Sequence, residues 1–405
     1  MARTHACSRL ATVAALVLVG GCTAPASAQN RSDAGSAVTP SAAPAAPAKA
    51  ETPPAAPPAA AVASQPLAGT TSRLWPFKRL YNVDYVDVQD IARHYGLKTA
   101  WVTSGRVIQL VDAHGQARLK FENQKRDFYL DGVRVFMGEI TVFNRGSLHV
   151  SKIDVIKTIA PLLRPAEHAN QLPGPPKLIV LDAGHGGNDP GTQNLALHLN
   201  EKDMTLDVVQ RLKKLLEARG YRVILTRSDD SKLDPAQRAD LEKRDDIANR
   251  AKADLFLSVH FNSAPPTVTG TETYVMTPQF QLSSGADKKD DTVDKPFPGN
   301  RQDFANVVLG YHLHRTLLAE LKTSDRGFKR GRRLVLCFPE CPAALVEAAY
   351  LSNDAEARRV ATPEYRQQIA QAIADGVDDY TATLAALHPV ASFPAETHAP
   401  AASSK

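Results

Sequence analysis

Apolar and polar positions follow two different periods between residues 175 and 388. Short, wholly apolar runs such as 178–181 and 255–259 predict strands that are buried on both faces of a sheet. Longer segments carry apolar residues three and four positions apart, and this spacing predicts amphipathic helices. The predicted strands are 178–181, 222–226, 255–259, 271–276, 334–337 and 343–346, and the predicted helices are 204–219, 241–253, 303–321 and 364–387. Their alternation indicates an α/β domain with a mostly parallel sheet of about six strands and helices on both faces.

A second, smaller unit is predicted between residues 74 and 166. A short helix at 87–95 precedes runs of alternating apolar residues, and an amphipathic helix at 152–163 closes the unit. The alternating runs lie at 107–110, 118–121, 128–130, 133–136 and 147–150. This order favours a small α+β domain, separated from the α/β domain by the Pro- and Gly-rich residues 172–176.

The amino terminus has the pattern of an export signal. Two arginines precede an apolar run at 10–19 that is too short to span a bilayer as a helix, so residues 1–28 are predicted to be a processed leader. Cys22 directly follows the run and fits a lipobox, whereas cleavage after Ala28 fits an ordinary signal. We favour lipidation at Cys22, which predicts an exported protein of the periplasm or cell envelope with a membrane anchor.

Composition sets the remaining boundaries. Residues 29–73 are dominated by Ala and Pro and predict an extended tether, and residues 389–405 predict a disordered tail. With 43% hydrophobic residues the 405-residue chain can form proper cores, and a net charge of +5 without a basic block argues against nucleic acid as a partner. Cys337 and Cys341 either form a short disulfide or pack as a structural pair.

Four residues with chemical potential stand at the ends of predicted elements. His185 lies in a Gly-rich turn after 178–181, His260 ends the run 255–259, and Glu347 ends the run 343–346. Strands of a parallel sheet display such residues at one edge. Glu201 lies just ahead of the first long helix. Two imidazoles and one carboxylate form a common catalytic zinc shell, and a further Glu beside it can take a proton from water.

Each of these residues also has an ordinary structural interpretation. His260 is a possible strand-end histidine, Glu201 suits the first turn of a helix, and Glu347 is open to pairing in a salt bridge. His198 competes with Glu201 as a ligand, although we interpret it as a loop residue. A Glu directly after a buried apolar run is the hardest to explain structurally, because an unpaired buried charge is strongly destabilising.

Four separated segments resemble the zinc-dependent N-acetylmuramoyl-L-alanine amidases of family 3. They are Leu181-Asp182-Ala183-Gly184-His185-Gly186-Gly187-Asn188-Asp189-Pro190-Gly191, Glu201-Lys202-Asp203, Ser258-Val259-His260-Phe261-Asn262, and Leu345-Val346-Glu347 through Leu351-Ser352-Asn353. The resemblance implies Zn²⁺ held by His185, Glu201 and His260, with Glu347 as the catalytic carboxylate. It implies hydrolysis of the amide between N-acetylmuramic acid and L-alanine in peptidoglycan.

Some features depart from that family or stay open. Glu347 is followed by Ala348-Ala349-Tyr350, where the family commonly has a Gly and a Phe. Some relatives carry an inhibitory helix that a protein activator displaces, but residues 277–302 are too polar and broken to predict one. Two other functions remain open: a zinc peptidase acting on stem peptides, and an inactive peptidoglycan-binding protein.

The small unit resembles the copper-amine-oxidase N-terminal-like domain, a non-catalytic module of bacterial surface enzymes. His94, His114 and His149 are scattered singly, so the sequence marks no copper site. The resemblance implies a binding or spacer role.

Overall fold

The computed structural model describes residues 75–286 and 292–388. The predicted export signal, Cys22, the tether 29–73 and the tail 389–405 lie outside the described residues. No helix within the described ranges is both long and apolar enough to cross a bilayer.

Residues 78–171 form strands around one short helix. The strands are β1 (Lys78–Leu80), β2 (Val83–Asp87), β3 (Lys98–Thr103), β4 (Val107–Val111), β5 (Ala117–Glu122), β6 (Asp127–Leu130), β7 (Val133–Phe136), β8 (Val142–Asn144) and β9 (Ser147–Ser151). Helix α1 (Val88–His94) begins where the Asp87 side chain accepts a hydrogen bond from the Gln89 backbone N–H. A continuous helical segment follows β9, with α2 (Lys152–Asp154), a π-helical turn (Val155–Ile159) and α3 (Ala160–Leu163), and a 3₁₀ segment (Pro165–Gln171) ends the region.

The larger region alternates strands with long helices. Its strands are β10 (Leu178–Ala183), β11 (Gln193–Asn194), β12 (Leu199–Asn200), β13 (Arg222–Leu225), β14 (Leu255–Asn262), β15 (Thr271–Val275), β16 (Asp325–Arg330) and β17 (Ala343–Tyr350). Its helices are α4 (Glu201–Ala218), α5 (Gln237–Ala251), α6 (Asp303–Leu321), α7 (Leu334–Cys337), α8 (Asp354–Ala361) and α9 (Pro363–Leu387). The predicted α/β alternation is therefore confirmed.

The sheet is larger than the six strands expected from the sequence. Six strands of the larger region run in the order β13-β10-β14-β17-β15-β16, and the sheet then continues through β7-β6-β5-β4-β3 to eleven strands. The junction is a parallel pairing of β16 with β7, in which Phe328 faces Val135. Pairing covers an edge of β16 that a six-stranded sheet would expose. The sheet is mixed, because β15 runs antiparallel to β17 and β3–β7 are antiparallel to each other.

The structure corrects one predicted strand and adds another that the sequence did not predict. The apolar run 334–337 forms the single helical turn α7 and not a strand, an ambiguity that periodicity cannot resolve over four residues. Strand β16 was missed, because Phe328 is its single large apolar residue among Asp, Arg, Gly and Lys. The described part of 277–302 contains no α-helix; it ends in a 3₁₀ segment (Pro298–Gln302).

The two faces of the sheet belong to different apolar clusters. On β10, Ile179 and Leu181 pack into the larger cluster with α4, α6 and α9, whereas Val180 packs into a smaller cluster with α5 and α7. The strands between these layers are buried on both faces, as their continuous apolar runs require. His185 follows the end of β10, as expected, but His260 and Glu347 lie within β14 and β17 and not beyond their ends, because both strands are longer than the apolar runs that predicted them.

Candidate active site

A tight turn after β10 presents His185. His185 adopts a left-handed backbone conformation with φ 63°, and the residue before it must be glycine, because a Cβ on Gly184 would overlap the imidazole of His260. The turn therefore brings the two imidazoles together, with ring centroids 5.0 Å apart. Glycine permits this close approach.

Two buried arginines hold the carbonyl oxygens of this turn. Arg227 donates from Nε to Ala183 O at 2.9 Å and from Nη2 to Gly184 O at 2.9 Å. Arg244 donates from Nη1 to Ala183 O at 2.7 Å and from Nη2 to His185 O at 2.8 Å. Charged donors make strong hydrogen bonds, so the backbone at His185 is fixed from both sides.

Glu201, the first residue of α4, joins the two histidines. Its Oε1 lies 3.1 Å from His185 Nε2 and 2.9 Å from His260 Nδ1, and it accepts a hydrogen bond from the Phe261 N–H at 3.0 Å. Its Oε2 accepts from the Thr192 N–H at 2.8 Å. The carboxylate is almost fully buried, and its position at the start of a helix leaves it oriented by backbone donors.

These three side chains form the one possible metal-ligand cluster found among the described residues. Their donor atoms all lie within 4.8 Å of one another. His198, the competing candidate, lies in a left-handed position at the end of a 3₁₀ turn and is not part of the cluster. Two imidazole nitrogens and a carboxylate oxygen match the donor set that zinc prefers, so the residues present fit that ion.

The charge balance of the cluster favours a cation. Burial alone would lower the pKa of His185, but the nearby carboxylates of Glu201 and Asp189 raise it to about 10. Asp189 Oδ2 lies 3.0 Å from His185 Nδ1, which leaves Nε2 directed at the cluster. A carboxylate on the outer imidazole nitrogen is the usual support of a metal-ligating histidine. Sequence reasoning missed this role, although Asp189 stands in the same Gly-rich motif.

Glu347 lies beside the cluster on β17. It pairs in register with His260 on the neighbouring strand β14, and its carboxyl is buried with Oε2 free of any hydrogen-bond partner within the described residues. Burial is the main cause that raises the pKa of Glu347 to about 8, and Glu201 and Glu272 add to it, while Arg333 opposes it. An unpartnered buried carboxyl beside a metal-ligand cluster suits proton transfer.

A polar wall that the sequence did not predict flanks Glu347 on the side of β15. Its centre is Glu272, in register with Glu347 on the adjacent strand. The Glu272 carboxylate accepts hydrogen bonds from Tyr274 Oη at 2.6 Å, Tyr350 Oη at 2.5 Å and Lys329 Nζ at 2.6 Å. The donors come from three strands, so only their assembly in the sheet reveals the wall.

Cys337 and Cys341 are both buried, and no disulfide joins them in this structure. Burial raises the pKa of Cys341 to about 12. Both side chains lie in the smaller apolar cluster, where they contribute to packing.

Comparison with known proteins gives matches over the region that contains the candidate site residues. A family model described as N-acetylmuramoyl-L-alanine amidase matches residues 179–379. Uncharacterized protein YqiI of Bacillus subtilis is 31% identical over 223 residues, which cover 55% of this chain and 91% of that protein. The germination-specific N-acetylmuramoyl-L-alanine amidase of Bacillus subtilis is 30% identical over 52% of this chain and 81% of its own length.

Among solved structures, the CwlD amidase from Clostridioides difficile, in complex with the GerS lipoprotein, is 29% identical. The match covers 51% of this chain and 99% of that chain, with a TM-score of 0.42. Three other relatives are matched over only 37 to 53% of their own length. The chain belongs to the family of N-acetylmuramoyl-L-alanine amidases, the enzymes that hydrolyse the amide between N-acetylmuramic acid and L-alanine in peptidoglycan.

Proposed function

We propose that this amidase is zinc-dependent, with His185, Glu201 and His260 as the metal ligands and Glu347 as the catalytic base and acid. One observation carries the proposal: three suitable donor atoms converge within 4.8 Å beside a buried carboxyl whose Oε2 has no hydrogen-bond partner in the part of the chain that the structure describes. When bound, zinc would polarise the scissile carbonyl and acidify the attacking water. Three protein ligands would leave a further coordination position open.

The chain's own residues would move the proton. Glu347 Oε2, which has no hydrogen-bond partner among the described residues, would accept it from water, and because burial favours the neutral form of this carboxyl, Glu347 would then return the proton to the departing amine. Asp189 holds the outer nitrogen of His185, while Arg227 and Arg244 hold the backbone on which that imidazole stands. The protein thus contributes metal-ligating atoms in fixed positions and, beside them, a carboxyl group that takes up and releases one proton.

Digestion of purified peptidoglycan sacculi by the zinc-supplied protein, read by mass spectrometry, tests the proposal. We expect free stem peptides with an L-alanine amino terminus. Glu347→Gln should lower the rate by roughly 10²- to 10⁴-fold, the usual contribution of a general acid–base residue, while zinc remains bound. Glu340→Gln is the matched control, because its side chain is 63% exposed and lies outside the site.

Other products would contradict the proposal. Shortened peptides still attached to muramic acid would indicate a zinc peptidase, and sacculi that are bound but uncleaved would indicate a binding protein. A Glu347→Gln variant as active as Glu340→Gln would remove Glu347 from the chemistry.

The setting of the reaction is part of the same proposal. Export to the periplasm or cell envelope, lipidation at Cys22, a non-catalytic role for residues 74–166 and control by a protein activator rest on sequence pattern and resemblance. Radiolabelled lipid incorporation that is lost in Cys22→Ala would support the anchor, and unchanged incorporation would contradict it.

A further inference from the structure

Arg333 is a partly buried cation close to Glu347 that the proposed mechanism does not use. It lies between β16 and α7, and its guanidinium stacks over the ring of Tyr274 with 4.3 Å from Cζ to the centroid. Arg333 Nε is buried and has no hydrogen-bond partner within the described residues. A buried donor without an acceptor is costly, so its retention calls for a ligand.

The Nε atoms of Arg330 and Arg332 also have no hydrogen-bond partner among the described residues, but the terminal nitrogens of these two arginines do form hydrogen bonds. Arg330 donates from Nη2 to the carbonyl of Lys157 at 2.9 Å, and Arg332 donates from Nη2 to the carbonyl of Gln281 at 2.8 Å. Both side chains therefore brace the backbone. Arg333 forms no direct ion pair with any described residue, although its charge and that of Glu347 influence each other.

The position of Arg333 defines what it can reach. Glu272 on β15 is the register partner of Glu347, and Tyr274 lies two residues further along the same strand. Tyr274 and the Arg333 guanidinium stacked on it therefore continue the wall beside Glu347, away from the metal-ligand cluster. Tyr274 pairs with Leu345, two residues before Glu347, a separation of about 7 Å along the strand, and the Arg333 guanidinium lies over the Tyr274 ring. A group bound by Arg333 would thus lie a few ångströms from the reacting amide.

The substrate carries an anion at that separation. In a stem peptide the residue after L-alanine is a glutamate linked through its side-chain carboxyl, which leaves its α-carboxyl free. With about 3.3–3.6 Å per extended residue, that carboxylate lies about 6 Å from the scissile nitrogen. Arginine presents a planar set of donors that matches a carboxylate.

We propose that Arg333 binds the free α-carboxylate of the second stem residue and so makes the enzyme selective for stem peptides in which that group is not amidated. The inference rests on the proposed function, because it assumes that the scissile amide lies at Glu347. It assigns a specificity role to a residue that contacts neither the metal-ligand cluster nor the catalytic carboxylate directly.

Three synthetic muramoyl tripeptides test the assignment. One has free carboxylates throughout, one carries a carboxamide at the second residue's α-carboxyl, and one carries a carboxamide on the third residue instead. We expect the second substrate to have a kcat/KM roughly tenfold lower than the first, as for loss of a charge-assisted hydrogen bond, and the third to match the first.

Variants of Arg333 then test whether this side chain causes the preference for the free carboxylate. Arg333→Gln should lose roughly tenfold in kcat/KM on the free carboxylate and nothing on the second substrate, and Arg333→Lys should recover part of the loss. Arg301→Gln is the control, because it removes the same charge from a side chain that is 71% exposed. Thermal denaturation of each variant identifies any that fails to fold.

Several results would overturn the assignment. Equal losses on the first two substrates in Arg333→Gln would make Arg333 a support for the fold or for Glu347. A wild-type preference at the third residue would move the contact along the stem. If the wild-type enzyme cleaves all three equally, the subsite is refuted while the amidase stands; if it cleaves neither these nor sacculi, the proposed function fails and this inference with it.

Discussion

Replacing Arg244 with methionine should weaken both the fold and the metal site, and the size of the effect follows from its contacts. Arg244 is buried and donates to Asp182 Oδ1 at 2.8 Å, Asp240 Oδ2 at 2.9 Å, Ala183 O at 2.7 Å and His185 O at 2.8 Å. Removing one partner of a buried ion pair costs about 3–5 kcal/mol, because the remaining charge stays buried.

The hydrogen bonds that Asp182 and Asp240 keep in Arg244→Met decide where in this range of about 3–5 kcal/mol the loss of stability should fall. Asp182 keeps hydrogen bonds from Thr226 Oγ1 at 2.6 Å and Ser258 Oγ at 2.7 Å, and Asp240 keeps one from the Leu233 N–H at 2.7 Å. Both carboxylates therefore stay partly satisfied, which favours the lower end, about 3 kcal/mol. The lost bond to the His185 carbonyl should also weaken zinc binding, by about 10- to 100-fold as for other outer supports of metal ligands.

Urea denaturation of the zinc-free protein and zinc titration against a chelating dye measure the two effects separately. The control is Arg250→Met on the same helix, whose side chain is 81% exposed and pairs with Asp246 at 2.9 Å; it should cost less than about 0.5 kcal/mol. A loss for Arg244→Met no larger than this control would refute the reasoning. Lost stability with unchanged zinc affinity would refute the link to His185.

The pH dependence provides a second check on the same contact. Burial raises the pKa of Asp182, but Arg244, Thr226 and Ser258 outweigh burial and hold it below its ordinary value of 3.8. A carboxyl with a lowered pKa stabilises the fold above about pH 4, and the contribution is lost as the pH falls through the folded-state pKa. The stability gap between wild type and Arg244→Met should therefore narrow below about pH 4.

Three further predictions concern the site and the thiols. In zinc-free protein the pKa of His185 is about 10, so the stabilisation from its positive charge is fully present below about pH 6.5 and is lost as the pH rises to 10. A urea midpoint that stays constant across this range would contradict the pairing of His185 with the carboxylates of Glu201 and Asp189. Gly184→Ala should abolish zinc binding, because the added Cβ overlaps His260, whereas Gly174→Ala, where nothing lies within 4 Å, should not; equal affinities would contradict the steric argument. With a pKa of about 12, Cys341 should react with iodoacetamide far more slowly in native protein than in 6 M guanidinium, and equal rates would contradict its burial.

Sequence reasoning succeeded where the signal is local. Helices α6 and α9 were predicted to within a residue at each end, since long periodic segments with clear ends are the strongest pattern a sequence offers. His260 and Glu347 could be singled out as candidates because each directly follows an apolar run, and the parallel pairing of β14 with β17 places the two residues side by side.

The parts that were missed depend on contacts between distant segments. Strand β16 is polar, and its place in the sheet comes from pairing with β15 on one side and β7 on the other. No periodicity marks such a strand. In the same way, Glu272 looks like any alternating strand residue until β15 pairs beside β17 and places its carboxylate next to Glu347.

The division of the chain into two units needs the same long-range view. The boundary at residues 172–176 fits the composition, yet the two regions share one sheet and polar ties that are buried or partly buried. Asp154 accepts a hydrogen bond from Gln281 Nε2 at 2.7 Å, and Arg330 donates to Thr158 Oγ1 at 2.9 Å. Breaking these hydrogen bonds would leave the charged groups buried without partners, and the free-energy cost of that is larger than the cost of separating two solvated surfaces. The amino-terminal unit is therefore held against the strands that carry the wall beside Glu347, and a spacer role for it must include support of that wall.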